Sequence, residues 1–277
     1  YHIVARLDAG DRTIDGEESV RYYNHSPDTL RQLAVHLYQN LHTSSGAYLT
    51  RYSVTGGVNL RRVAVAGVAL PEDRSTNHPG YQVAGTVAWL RLPSPLAPRD
   101  SVDLSFEWRF QLPEVAPRMG TDGEVYMVGY WYPQVAVYDD VNGWQTDRYT
   151  GRGEFYMGYA DYDVTVDVPE GWLVGATGEL ANPGDVLTDS VALRALQSTV
   201  DREVVHVVAE DQRGAGRSTR RGDTGRLRWH FLADRSRDFA WVASSQYLWD
   251  ATSVRVPGAR GDSNTVTVNA LYRPSAR

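Results

Sequence analysis

The sequence contains no cysteine, and its 28 basic side chains apart from histidine are all arginine, so lysine is absent as well. Without cysteine there is no disulfide scaffold, thiolate zinc site or cysteine nucleophile, while the redox compartment stays open. Without lysine there is no GxxxxGK[ST] phosphate loop, Schiff-base lysine or Ser–Lys dyad. Long apolar runs are missing too. The longest, Val63 to Leu70, falls far short of the roughly 20 residues that span a bilayer, so no transmembrane segment is expected. Nor is there a basic excess. A formal net charge of −6 argues against a nucleic-acid partner, whose affinity rests on neutralising phosphates. The chain opens at Tyr1 with no visible signal peptide, which suggests either a removed leader or a piece of a longer protein. A periplasmic or secreted setting is favoured over the cytoplasm. What is present, 277 residues with 42% hydrophobic and 22% charged side chains, suits one large all-β domain or two ordinary domains.

The dominant hydrophobic period is two. Val102, Leu104, Phe106, Trp108 and Phe110 share one face of residues 101–110, opposite Ser101, Asp103, Ser105, Glu107 and Arg109. The pattern recurs in Ile3, Ala5, Leu7 and Ala9, in Val164, Val166 and Val168, in Leu227, Trp229 and Phe231, and in Val266, Val268, Ala270 and Tyr272. Each run predicts a strand with one face in a core and the other in water, as in antiparallel sheets. Asp15–Gly16, Asp122–Gly123 and Asn142–Gly143 read as turns. Stronger breaks are expected at 71–80, 93–98, 142–153 and 212–225. No fixed-period repeat supports a propeller or solenoid. Residues 30–41 are ambiguous: Leu30, Leu33, Ala34, Leu37 and Leu41 have helical spacing after Ser26 and Pro27, whereas Leu33, Val35 and Leu37 alternate as a strand. The arginine-rich stretch 213–226 has no apolar anchor and reads as a solvated hairpin loop.

Chemistry-bearing motifs are few. Of seven histidines, the nearest pair, His36 and His42, lies six apart, not the four that HExxH requires on a helix, and no autonomous metal site is expected. There is no GxSxG elbow and no GxGxxG after a strand. Asp139, Asp140, Glu154, Asp161 and Asp163 are the candidate carboxylates for an acid/base pair, although turns and the outer face of a strand account for them more simply. The aromatic set is unusual, with 8 Trp and 17 Tyr against 5 Phe. Amphipathic rings of this kind suit a tyrosine-rich core, a sugar-stacking platform or a docking face. As a docking face, the cluster predicts exposed apolar area around residues 126–144, with Tyr130, Trp131, Tyr132 and Trp144 as its contacts.

Three segments open the chain in order: Tyr1-His-Ile-Val-Ala-Arg-Leu-Asp8, Gly16-Glu-Glu-Ser-Val-Arg-Tyr-Tyr-Asn24 and Leu33-Ala-Val-His-Leu-Tyr-Gln-Asn40. This order resembles the start of M1-family zinc aminopeptidases of a divergent bacterial branch. Trp131-Tyr-Pro-Gln-Val-Ala-Val-Tyr-Asp-Asp140, the stretch from Gly153 to Pro169, and Val174-Gly-Ala-Thr-Gly178 follow in the same order. Asp238 through Pro274 is similar to the stretch just before that family's catalytic domain. The resemblance implies an elongated, mostly antiparallel, saddle-shaped β domain over residues 1–277, a strand at 30–41, and a separate zinc domain after residue 277. This chain by itself would then hold no cofactor and hydrolyse nothing. Its partners would be the downstream catalytic domain and the peptide substrate. Counting back from Pro133, the resemblance implies Glu124 as the residue that helps hold the substrate's free amine, with Thr121 preceding it. The sequence departs from the family pattern in placing Gly129 where an arginine, and Gln134 where a cysteine, is usual. A non-catalytic module binding carbohydrate or protein through surface Trp and Tyr is the alternative.

Overall fold

The computed structural model describes residues 1–46, 52–73, 78–151, 153, 155–258 and 261–276. The alternating runs fold as strands of a mostly antiparallel, all-β architecture. At its centre is an eight-stranded sheet. Its spatial order is Glu179–Leu180, Arg226–Ser236, Ala160–Pro169, His2–Asp8, Thr13–Tyr23, Ser101–Gln111, Val58–Val65 and Val68–Ala69. His2–Asp8 pairs in parallel with Ala160–Pro169, and the neighbouring long pairs are antiparallel.

One face of this sheet carries two cores. Leu104 and Phe106 pack with Leu33, Val35 and Leu90 of a four-stranded sheet ordered Gln134–Val135, Leu30–His36, Val87–Leu96, Gly80–Ala84. Trp108 and Phe110, further along the same strand, pack with Tyr126, Val128 and Trp241. Those belong to a five-stranded sheet ordered Leu173–Ala176, Trp241–Ser244, Val125–Val128, Met119–Asp122, Val115–Ala116. Because a single strand feeds both cores, neither covering sheet has a private base. A three-stranded sheet of Val205–Val208, Leu248–Pro257 and Ser263–Tyr272 lies at the end of the chain.

The ambiguous segment is a strand, Leu30–His36, followed by a short 3-10 turn at Tyr38–His42. Its mixed pattern has a physical cause. Val35 packs into one core while its neighbour Ala34 packs with Val87 and Ala136 on the opposite side. A strand buried on both faces loses the clean alternation that identifies one.

Two turn expectations fail. Asp15 and Gly16 lie inside the strand Thr13–Tyr23, and the chain reverses earlier, at residues 9–12. Gly16 pairs directly with Trp108, and a methyl group at Gly16 would fall inside the indole ring. This glycine makes room for a neighbour, as strand glycines often do. The break expected at 93–98 is likewise displaced, because the strand Val87–Leu96 runs through Pro93 and Pro95. Its neighbour Gly80–Ala84 ends opposite Arg91, so on that side the prolines need supply no ladder donor. The turns at Asp122–Gly123 and Asn142–Gly143 stand as expected.

The stretch 213–226 is not simply solvated. Ser218 and Thr219 are fully buried, and Thr219 Oγ1 accepts the Gly171 N–H at 2.9 Å. Hydroxyls, not apolar side chains, anchor this loop. A second burial expectation also fails. Val266 and Val268 lie in a strand as expected, yet they are 43% and 48% exposed.

Candidate functional site

Met119–Asp122 and Val125–Val128 pair antiparallel, with Asp122 opposite Val125, leaving Gly123 and Glu124 as a two-residue loop. Gly123 takes φ +60°, the left-handed region in which a residue without Cβ is at no disadvantage. The hairpin is locked inward by buried Tyr126 and Val128, which leaves the loop outside. Glu124 is exposed, and its Oε2 accepts the Ser245 hydroxyl. Ser245 follows Trp241–Ser244, the strand beside this hairpin. Across the loop, Asp122 Oδ2 forms an ion pair of 2.7 Å with Arg273 Nη1. The last described strand is thus tied to the loop that carries Glu124. Neither Ser245 nor Arg273 carries a local sequence signal for this role, because each meets the loop from more than 120 residues away.

The predicted docking aromatics do not share a surface. Trp131 and Tyr132 are buried, and Tyr130 is nearly so. The Trp131 indole N–H donates to the Phe239 carbonyl at 2.8 Å. The Tyr132 hydroxyl donates to Asp238 Oδ1 at 2.9 Å and lies 3.0 Å from the Tyr162 hydroxyl. Tyr130 adopts a left-handed φ of +53° and packs within 4.9 Å of both Tyr38 and Phe155. Each ring buries its apolar body and finds an internal partner or ring neighbour, so the cluster serves the core. Trp144 alone among the four is partly exposed, edge-on to Tyr138 at 5.2 Å.

The candidate carboxylates are used singly. Asp139 Oδ1 accepts the N–H groups of Val141 and Asn142 in a turn, and the Asn142 amide leads in holding its pKa below the usual range. Asp161 accepts the Arg235 N–H at 2.8 Å. Asp163 sits between His230 at 2.8 Å and His2 at 3.3 Å on an outer sheet face. Asp140 lines the cleft described next, and Glu154 lies outside the described residues. Among the described residues no three His, Asp or Glu side chains converge to hold a metal, so the donor set does not fit a zinc ion.

A cleft of about 840 Å³ runs between the strand Thr13–Tyr23 and the segments 134–140 and 158–162. Tyr22, Tyr23, Tyr138 and Tyr159 line it together with Arg21, Asp140 and Arg235. Tyr162, which also lines the cleft, lies with its hydroxyl 3.0 Å from that of Tyr132, the donor to Asp238. Burial raises the Asp238 carboxyl to about 6 against the hydrogen bonds from Tyr132 and the Phe239 amide.

No protein-family model matches the sequence, and no curated protein matches it. Solved structures do. The chain is similar to the M1 zinc metallopeptidase from Deinococcus radiodurans, with a TM-score of 0.52 and 11% identity over 99% of this chain and 46% of that one. It is similar also to a mutant of that enzyme bound to a Tyr-Ser-Ala substrate, with a TM-score of 0.51, 10% identity, 99% of this chain and 47% of that one. A two-domain M1 zinc metallopeptidase mutant bound to L-arginine matches at a TM-score of 0.51, 10% identity, 99% and 46%. The chain therefore has the fold of part of these metallopeptidases and spans less than half of their length.

Proposed function

We propose that this chain is the N-terminal, substrate-shaping and docking domain of an M1-type metalloaminopeptidase, one that removes N-terminal residues from peptides. A catalytic zinc domain would follow residue 277. The observation that carries the reading is the position of Glu124. Its exposed carboxylate stands on a two-residue loop, and the Arg273–Asp122 ion pair joins that loop to the residue that follows the last described strand. A domain entering there would meet Glu124 at the seam. A carboxylate at that seam pairs with the ammonium of a peptide N-terminus and disfavours substrates that lack one. Among the described residues no three His, Asp or Glu side chains converge to hold a metal, and in this reading bond cleavage belongs to the following domain.

Joined to that domain, the protein is expected to hydrolyse aminoacyl-anilides. Glu124→Ala should then raise KM about tenfold with little change in kcat, as expected when a ground-state charge contact of ~1–2 kcal/mol is lost. An unchanged KM removes Glu124 from the site. Chelator-sensitive turnover by residues 1–277 alone would refute the division of labour.

The tyrosine-lined cleft favours a second reading, a carbohydrate-binding module, because Tyr22, Tyr23, Tyr138 and Tyr159 share its wall with Arg21, Asp140 and Arg235. Titration with oligosaccharides separates the two: saturable binding abolished by Tyr159→Ala supports the module, and none supports the peptidase domain.

A further inference from the structure

The strand Ser263–Tyr272 has the alternation of a half-buried strand, yet the structure leaves its apolar face uncovered. In the three-stranded sheet, Val254 is paired with Val266 and Thr252 with Val268, while Val256 is opposite Asn264 and Asp250 opposite Ala270. Directly paired residues share a face, so Val254, Val256, Val266 and Val268 form one stripe. All four are 36–48% exposed. At its inner end the opposite face is committed to the body of the molecule, where Ala251 and Ser253 are buried and Trp249 and Leu271 pack on the main core, while Arg255 and Thr265 further out are exposed. A polar group borders the stripe at its inner end, where Asp250 accepts from the Tyr272 hydroxyl at 2.5 Å and meets His206 Nδ1 at 2.7 Å. An apolar strip with a polar border is how an interface is built, and Ser263–Tyr272 is in addition a terminal strand of its sheet.

We infer that this valine face is where the polypeptide continuing beyond Arg277 packs. The inference rests on the proposal above that a further domain follows. Three observations favour that occupant. The strand bearing the stripe leads directly into the last described residues. The proteins of the same fold extend over more than twice this length, since the chain covers 46% of the first of them. The third is area. Four half-exposed valines offer on the order of 300 Å², well under the ~800 Å² per partner of a stable free-standing complex. A segment tethered in the same chain meets such a face at roughly millimolar effective concentration and needs no larger one.

Amide hydrogen exchange over residues 252–256 and 264–270 tests this, comparing the full-length protein with residues 1–277. At least tenfold slower exchange in the full-length protein is expected, and Val254→Ser with Val266→Ser should abolish that difference without altering the melting temperature of residues 1–277. Equal exchange in the two unmutated proteins overturns the inference. So does a dimer of residues 1–277 that the double variant disrupts, because a second copy would then be the occupant. A full-length protein without aminopeptidase activity but with a protected stripe defeats the functional reading and leaves this one standing. An active protein with an unprotected stripe does the reverse.

Discussion

Glu18 is a carboxylic acid in a place that a hydrophobic residue would ordinarily hold. It sits on the inward face of Thr13–Tyr23, opposite Ile3 and Phe106, is 4% exposed, and neither of its oxygens has a hydrogen-bond partner. Burial pushes its pKa well above the ordinary carboxyl value, opposed by the nearby amino-terminal charge. The unfolded chain ionises freely, so stability is highest below the ordinary value of 4.5 and falls as pH rises above it. Glu18→Gln should therefore stabilise the protein by roughly 1–3 kcal/mol at neutral pH and by little near pH 4, as denaturant titrations at the two pH values would show. A gain independent of pH would mean that the carboxyl is ionised in the folded state. Asp238 follows the same sign. With its carboxyl raised from 3.8 to about 6, the folded state loses on the order of 3 kcal/mol as pH rises through that window. Asp238→Asn should flatten this part of the pH profile while an oxygen remains to accept from Tyr132.

Single elements show why local rules fail in a β protein. Gly16 has the signature of a turn glycine, but the indole of Trp108 on the next strand occupies the space above it. Gly16→Ala is expected to cost roughly 2–4 kcal/mol, as overpacking of a filled core does. Combining it with Trp108→Leu should cost less than the sum of the two single changes, because the smaller side chain vacates that space. Strict additivity in urea melts would show that the two positions do not meet. Pro93 and Pro95 teach the same lesson, since their place in a strand depends on where the neighbouring strand stops.

The molecule as a whole rests on shared strands. Ser101–Gln111 supplies Leu104 and Phe106 to one core and Trp108 and Phe110 to the other, so neither covering sheet can leave without exposing a face of the same strand. Calorimetry of residues 1–277 should show one transition, lowered alike by Leu90→Ala in the first core and Leu173→Ala in the second, each by roughly 2–5 kcal/mol. Two separable transitions would mean that the cores fold independently. The proposed domain seam belongs to this scale too, for it joins the Glu124 loop, the Arg273–Asp122 pair and the uncovered valines of the last two strands.

The period-two runs were enough to establish an all-β chain, its principal strands and most of its core, because alternation is imposed residue by residue by the pleat. The segment order was enough to suggest the peptidase fold that the structure shares. Which aromatics are inside and which residues stand beside Glu124 was decided by tertiary structure alone, as was which alternating face goes uncovered. Those depend on which distant strands become neighbours: Trp131 meets Phe239, Glu124 meets Ser245 and Asp122 meets Arg273 across more than a hundred intervening residues. Chain connectivity places no constraint on such encounters until the sheets have formed.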